Sequence, residues 1–446
     1  MNKRNVLAIC CISFMASASL AAQSVNRSLY KKAKAYFAGQ TAPDKVIPTK
    51  NITKDSLSVW TAWKEHVSQT SDGKLPDLQP LTDKAKNSWT LPDSLEPNAT
   101  LNFYYGTKGD TDGQRPLFLY LHGSGPRAME WAAGLQMGQM FDDAPSAYFI
   151  PQIPQEGNWY RWYQKSKQWF VESLFRQALA SGQIDPYRLY LFGISEGGYG
   201  SQRLASFYAD YLAAAGPMAG GEPLKNAPAE NCGNIAFSLM TGEKDYGFYR
   251  NMLTTYTNLA LDSLQKAYPG EYTHNIELVE GMGHGFDYRV MTPWLKQFKR
   301  NPTPKHFIWE DYEMDNRHRT GFYNLLVNQR PTGDKRTRYE FTATGNTIDI
   351  SMQDVDYTCT QKDPQWGIEL CFNKTYSLST GGSITVFLSD ALVDTNSEVT
   401  IRINGKETYK GTPQKTATAM LRSTEAFGDP LRIFPVAIDL DLSAVR

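Results

Sequence analysis

Short apolar runs that alternate with helical stretches between about residues 100 and 300 constrain this chain more than any other feature. Apolar residues recur at helical spacing over residues 170–179, and Gly182 then favours the end of a helix. Strands that alternate with helices are typical of a mostly parallel sheet covered by helices on both faces. We therefore predict a doubly wound α/β fold, with strands at residues 116–121, 147–150, 188–192, 212–215, 235–240 and 275–279.

The pattern differs on both sides of this region, and the 446 residues exceed what one hydrophobic core usually supports. Residues 23–99 are polar and turn-rich, apart from a Trp-Thr-Ala-Trp patch at 60–63 that predicts a short helix. We predict an N-terminal extension over 23–99, an α/β domain over 100–330 and a C-terminal all-β domain over 331–446.

The C-terminal prediction depends on short alternating strands without long helical patterns. Its clearest feature is Asn404-Gly405 after the alternating run 399–403, because this dipeptide suits a tight type I′ hairpin turn. Further strands are predicted at 347–352, 383–388 and 436–442.

The first residues resemble a secretory signal peptide. Lys3 and Arg4 precede an apolar run over 6–20, and small residues follow at Ala21 and Ala22. A transmembrane anchor is the alternative, but the run is shorter than the roughly 20 residues that cross a bilayer. We predict a signal peptide over 1–22, a secreted or periplasmic protein, and no membrane span in the mature chain.

Charge and cysteine content exclude several partners. The 46 basic residues balance the 46 acidic ones, so no overall charge favours nucleic acid, and we predict none as a partner. Beyond the leader, Cys359 and Cys371 are the candidate disulfide pair of an oxidising compartment, and Cys232 is expected to be a small buried hydrophobe. Three cysteines without paired spacing predict no zinc site, and no metal is expected.

The best chemical motif is GISEG at residues 193–197, directly after the apolar run 188–192. A serine on a sharp turn between a strand and a helix needs small neighbours, and glycines stand two residues away on either side of Ser195. The motif alone also fits an ordinary Gly-Ser turn. Its position after a strand favours a nucleophile.

A serine nucleophile needs a base, and the base needs a carboxylate that fixes its tautomer. Run 235–240 leads into TGEKD, which offers Glu243 and Asp245 as acids at the carboxyl end of a strand. Run 275–279 leads into GMGHG, which places His284 on a glycine-rich loop at the same end of the sheet. His122 also follows a predicted strand but lies upstream of the serine, and the other four histidines lack this setting, so all five are expected to be surface or structural histidines.

Two further groups of residues are candidates for the site. Run 116–121 ends in HGSG at 122–125, which resembles the HG-x-G loop of esterases and implies the backbone N–H groups of Ser124 and Glu196 as oxyanion donors. Aromatic residues crowd the stretch before the predicted helix, and Trp159 and Trp162 are candidates for stacking on a sugar or aryl group. Core packing is the alternative for both tryptophans.

Taken together, LYLHGSG, DPYRLYLFGISEGGYG, TGEKD and GMGHGF resemble the α/β-hydrolase superfamily over residues 101–298. They are similar to its exported esterases, dienelactone-hydrolase-like enzymes and prolyl-oligopeptidase-like catalytic domains. The resemblance implies the triad Ser195, Asp245 and His284, hydrolysis through an acyl-enzyme, and no cofactor. It favours Asp245 over Glu243 as the acid.

The expected activity is that of an exported serine esterase acting on a small-molecule or glycan-linked carboxylic ester. A prolyl-oligopeptidase-like serine peptidase is the first alternative, but the region before residue 100 is too short for the β-propeller that such enzymes carry. A non-catalytic glycan-binding protein is the second, and it would not need the three triad residues.

Overall fold

The computed structural model describes residues 25–40, 51–70, 73–331 and 335–443. The predicted signal peptide at 1–22 lies outside the described residues. Within the described part of the chain, no helix is both long enough and apolar enough to cross a bilayer.

A nine-stranded sheet forms the centre of the larger part of the molecule. Its strands are β1 (Gln79–Pro80), β2 (Lys86–Thr90), β3 (Thr100–Lys108), β4 (Arg115–Leu121), β5 (Ser146–Pro151), β6 (Ile184–Ile194), β7 (Ala214–Met218), β8 (Ala236–Gly242) and β9 (His274–Val279). The order is β2-β3-β5-β4-β6-β7-β8-β9, with β1 also pairing with β3. Strand β3 is antiparallel to β2 and β5 and parallel to β1, whereas all the strand pairs among β4 to β9 are parallel.

Helices cover both faces of this sheet. Alternate residues of β4 show why: Leu117 and Leu119 belong to one hydrophobic core, and Phe118 and Tyr120 belong to another on the opposite face. Each apolar face needs its own layer of helices. The helices that precede residue 300 are α1 (Arg27–Phe37), α2 (Ile52–Gln69), α3 (Arg127–Met140), α4 (Lys165–Ser181), α5 (Glu196–Phe207), α6 (Arg250–Ala267) and α7 (Met291–Leu295).

The predicted doubly wound sheet is confirmed. Helix α4 ends where the sequence predicted, because Gly182 adopts the left-handed conformation with φ of 74°. The strand predicted at 212–215 is displaced: a short 3₁₀ turn at Ala209–Tyr211 precedes it, and β7 begins at Ala214.

The segment before residue 100 is more regular than predicted and contributes to the central sheet. Strand β2 pairs with β3 from Lys86 to Thr90, so the sheet begins before the predicted boundary. No apolar run marks this strand in the sequence, because Trp89 is the only large apolar residue of β2. Helix α2 has 18 residues rather than the short helix predicted around Trp60.

Two further sheets follow the central one. Their strands are β10 (His306–Asp311), β11 (Gly321–Phe322), β12 (Leu325–Gln329), β13 (Arg336–Thr344), β14 (Thr347–Lys362), β15 (Glu369–Leu378), β16 (Ser383–Leu388), β17 (Val399–Ile403), β18 (Lys406–Gly411) and β19 (Val436–Asp441). One sheet has the order β10-β13-β14-β17-β18 with β15 on β14, and the other has β11-β12-β16-β19. The sheets contact each other where Trp309 stacks on Phe322 with ring centres 5.5 Å apart. Positive φ angles at Asn404 and Gly405 confirm the predicted hairpin.

This β-rich part begins earlier than the predicted boundary at residue 331. Strand β10 pairs along its length with β13, and β12 pairs with β16. The periodicity of apolar residues indicates which side chains share a face but not which strands pair. The domain boundary could therefore not be located from the sequence pattern. The part also contains one helix that the pattern did not indicate, α8 (Ala417–Phe427), whose N-cap Thr416 accepts from the N–H of Ala419.

Buried charges join the β-rich part to the central sheet. Arg432 donates to Asp210 at 2.6 Å and to Asp429 at 2.7 Å, and Arg300 donates to Asp429 at 2.6 Å. The side chains of all four residues are at most 1% exposed. Because each charge has a partner of opposite sign, the group fixes how the two parts meet.

The predicted disulfide is wrong in this structure, which contains Cys359 and Cys371 as separate thiols. The register of β14 and β15 sets Cys359 opposite Phe372 and Cys371 opposite Gln361, with irregularities between them. The two cysteines are therefore not cross-strand partners, which their spacing in sequence could not reveal. Cys232 is buried as expected, and burial raises the pKa of its thiol.

Candidate active site

Ser195 lies in the sharp turn between β6 and α5. Its φ of 58° lies in the left-handed region, which costs a non-glycine residue on the order of 1–3 kcal/mol. A Cβ on Gly193 would lie 2.2 Å from the carbonyl oxygen of Gly197, and a Cβ on Gly197 would lie 1.9 Å from that of Leu121. Both contacts are with backbone atoms, so the turn requires these two glycines. This is the geometry of a nucleophile elbow.

His284 and Asp245 lie beside Ser195, at the ends of β9 and β8. His284 Nε2 is 3.0 Å from Ser195 Oγ, and His284 Nδ1 is 2.6 Å from Asp245 Oδ2. Because a carboxylate only accepts, Nδ1 carries the proton and Nε2 presents a lone pair to the serine hydroxyl. The arrangement can move a proton from the serine to the imidazole.

The two acids of the loop after β8 have different partners. Asp245 is buried, and its second oxygen accepts from Arg250 at 2.9 Å. Glu243 instead accepts the N–H of Gly281 at 2.8 Å, which ties together the loops that carry Asp245 and His284. Of the two acids, the structure brings only Asp245 to His284.

Ser124 and Glu196, the two predicted backbone donors, border the same cleft as Ser195. Glu196 is the first residue of α5, so its N–H has no carbonyl partner within the helix. A Cβ on Gly123 would lie 3.3 Å from Ser195 Cβ, which shows how closely the loop after β4 passes the serine. Ser124, Ser195 and Glu196 all line the cleft.

Tyr160 holds the loop that carries Ser124. Its hydroxyl donates to the carbonyl of Gly123 at 2.9 Å and accepts the N–H of Gly125 at 3.3 Å. These two bonds span the residues on either side of Ser124. They fix the direction of the Ser124 N–H.

His122 supports the same loop through hydrogen bonds of its two ring nitrogens. Its Nε2 accepts the N–H of Ile153 at 3.0 Å, so its proton lies on Nδ1 and is donated to the carbonyl of Gly123 at 2.7 Å. Burial lowers the pKa of His122 to about 4, which keeps the ring neutral. Sequence reasoning set this histidine aside as structural, and its contacts are with backbone.

The predicted stacking role of Trp162 is wrong. Its side chain is fully buried, its Nε1 donates to the carbonyl of His122 at 3.0 Å, and a Cβ on Gly200 would lie 2.3 Å from its Cβ. Trp159 is half-buried and is not among the described residues that line the cleft. Trp162 therefore supports the loop after β4 and not a ligand, because packing covers the ring faces that a sugar would need.

The cleft beside Ser195 has a volume of about 590 Å³, within the range of small-molecule sites. Phe248, Leu253, Pro223 and Ile368 supply apolar wall. Charged residues supply much of the remainder, and sequence reasoning missed them: Arg161, Arg203, Glu222, Arg250, Lys362 and Glu369. Nearness to predicted site residues was a usable signal for Arg161 and Arg250, whereas Lys362 comes from the β-rich part and gave none.

Glu196 is both a backbone donor candidate and a titrating side chain. Burial raises the pKa of its carboxyl to about 7, although Arg161 opposes this shift from a distance of 3.6 Å. The carboxyl is therefore partly protonated at neutral pH. The other charged groups around it are Glu222, Arg203 and Arg250.

Among the described residues, no group of three or more histidine, cysteine, aspartate or glutamate side chains could hold a metal ion.

The strand order, the antiparallel strand β3 next to β5, and the elbow after β6 define an α/β-hydrolase fold. No protein-family model matches the chain, and a search of curated proteins finds no match either. Among solved structures, the chain is similar to a thermostable esterase at 20% identity and a TM-score of 0.35, over 49% of this chain and 64% of that one.

Two other similar structures are an S-formylglutathione hydrolase from Agrobacterium tumefaciens and the feruloyl esterase module from Clostridium thermocellum. The first has 14% identity and a TM-score of 0.34, over 48% of this chain and 91% of that one. The second has 17% identity and a TM-score of 0.32, over 51% of this chain and 94% of that one. In each case about half of this chain is aligned.

Proposed function

We propose that this protein is an exported serine hydrolase that cleaves carboxylic esters through an acyl-enzyme. Ser195 is the nucleophile, His284 is the general base, and Asp245 orients the imidazole. The observation that carries the proposal is the unbroken hydrogen-bonded series from Ser195 Oγ through His284 to Asp245, with distances of 3.0 and 2.6 Å.

The steps follow from these contacts. As Ser195 Oγ attacks the ester carbonyl carbon, its proton passes to His284 Nε2, and the carbonyl oxygen becomes an oxyanion that accepts from the N–H groups of Ser124 and Glu196. The intermediate then releases the alcohol, which takes the proton from His284. Water attacks the acyl-enzyme in the same way, and Ser195 regains its proton as the acid leaves.

Reaction with a fluorophosphonate probe tests the nucleophile. We expect the mature protein to be labelled at Ser195, and Ser195→Ala to abolish labelling while the protein stays folded. Ser68→Ala on the exposed side of α2 is the matched control and should be labelled as wild type. Ser124→Ala should also be labelled, because the proposal uses its backbone N–H. A folded wild type that stays unlabelled would contradict the proposal.

A substrate panel tests the ester assignment. The mature protein should hydrolyse 4-nitrophenyl esters of short acids, and Ser195→Ala should not. Cleavage of peptide 4-nitroanilides alone would show that the enzyme is a peptidase. Export is tested by cell fractionation: we expect the mature chain, with its N-terminus after residue 22, in an extracytoplasmic fraction.

A further inference from the structure

The hairpin of β14 and β15 reaches from the β-rich part to the cleft. Its residues Lys362, Gly367, Ile368 and Glu369 form part of the cleft wall that also contains Ser195. The cleft is thus completed by a segment outside the central sheet. Any substrate that fills it must contact this hairpin.

Specific contacts hold the hairpin in place. At its tip, Trp366 packs on Phe248 and Tyr249 with ring centres 5.2 and 5.8 Å apart, on the segment that follows Asp245. Further from the tip, Lys374 on β15 donates to Glu230 at 2.5 Å. The hairpin is therefore attached at two places and can position a side chain against a substrate.

Two of the four cations in the cleft wall are neutralised by close carboxylates. Arg203 pairs with Glu222 at 2.6 Å, and Arg250 pairs with Asp245 at 2.9 Å. Both arginine side chains are less than one fifth exposed, at 19% and 13%. These two ion pairs therefore contribute little net charge to the cleft wall.

The other two cations are not neutralised in this way. The nearest carboxylate to Arg161 is that of Glu196 at 3.6 Å, which burial keeps partly protonated at neutral pH. Lys362 has no carboxylate within ion-pair distance among the residues that the structure describes. Glu369 lies opposite Lys362 in the register of the hairpin, but its carboxylate pairs with Lys225 at 2.9 Å. The cleft wall therefore has an excess of positive charge.

We propose that the cleft takes esters whose non-reacting part carries a carboxylate, with Lys362 as the residue that contacts this group and Arg161 adding to the positive potential. The inference rests on the proposed ester hydrolysis and deepens it by naming the substrate class. It gives the β-rich part a role in selecting the substrate. A complementary anion is favoured because it supplies the partner that Lys362 lacks.

The test compares two acyl chains of equal length that differ in the terminal group: the 4-nitrophenyl monoester of glutaric acid and 4-nitrophenyl valerate. We expect wild type to show the higher kcat/KM on the acidic ester. Lys362→Ala should lower the ratio of kcat/KM for the acidic ester to that for the neutral one by about fivefold, mainly through KM. Lys362→Arg should restore most of the ratio, because it restores the charge.

Lys410→Ala is the control, since it removes an exposed lysine of the β-rich part that lies outside the cleft wall. It should leave the ratio unchanged. Equal ratios in wild type and Lys362→Ala, with both proteins folded and active, would overturn the proposal while leaving ester hydrolysis intact. Absence of hydrolysis of both esters, together with absence of fluorophosphonate labelling, would overturn both proposals.

Discussion

Replacement of Tyr160 with phenylalanine removes one hydroxyl from beneath the loop that carries Ser124. The ring is 8% exposed and remains in place, so the substitution deletes hydrogen bonds without opening a large cavity. It tests whether the direction of the Ser124 N–H contributes to the reaction. The expected effect is on the chemical step and not on substrate binding.

The size of the effect follows from the two bonds that are lost. The carbonyl of Gly123 keeps a second donor, because His122 Nδ1 lies 2.7 Å from it, whereas the Gly125 N–H loses its hydroxyl acceptor. A neutral hydrogen bond contributes about 0.5–1.5 kcal/mol net, so the loop should lose about 1–2 kcal/mol of its positioning energy. This corresponds to a decrease in kcat of roughly 5- to 30-fold.

Steady-state hydrolysis of 4-nitrophenyl valerate measures this effect, with thermal unfolding as the check on folding. Tyr187→Phe, at an exposed tyrosine of β6, is the matched control and should keep wild-type kcat. A kcat within twofold of wild type would refute the positioning role. A loss of about a thousandfold would also refute it, since that is the size expected for removing an oxyanion donor outright.

Three other substitutions or conditions give clear expectations. Asp245→Asn should lower kcat by about 10⁴-fold without unfolding the protein, because an amide can stabilise the wrong tautomer of the imidazole. A burst assay at equal concentrations of labelled active sites measures kcat, and a loss below tenfold would contradict the triad. The preference for the acidic ester over the neutral one should fall as pH rises from 6 to 8, because Glu196, with its pKa raised to about 7, becomes ionised and offsets the charge of Arg161. A ratio of kcat/KM for the two esters that is constant or rises with pH would be inconsistent with this reasoning. Asp429→Asn should lower the free energy of unfolding by about 3–5 kcal/mol, since it leaves Arg432 and a second buried arginine with too few carboxylates; urea denaturation checks this, and a change below 1 kcal/mol would argue against the buried network.

Much of the fold and of the candidate site could be predicted from the sequence because the signals are local. The apolar runs of β4 to β8 are buried on both faces, so they stand out as short continuous segments. Gly193 is required by a backbone contact with Gly197 within the same turn, and His284 stands on a glycine-rich loop directly after a strand. Parallel strands then bring their carboxyl ends to one edge, which places Ser195 and Asp245 there as well.

Other features depend on contacts between distant segments and were decided only by the tertiary structure. The sequence showed an aromatic stretch, but only packing beneath the loop after β4 made Trp162 a buried support instead of a ligand surface. It showed Cys359 and Cys371 close together, but strand register decides which side chains lie opposite. Lys362 joined the cleft only because a hairpin docks on the segment after Asp245. Local periodicity determines elements and turns, whereas the surfaces that meet in three dimensions determine the walls of the cleft.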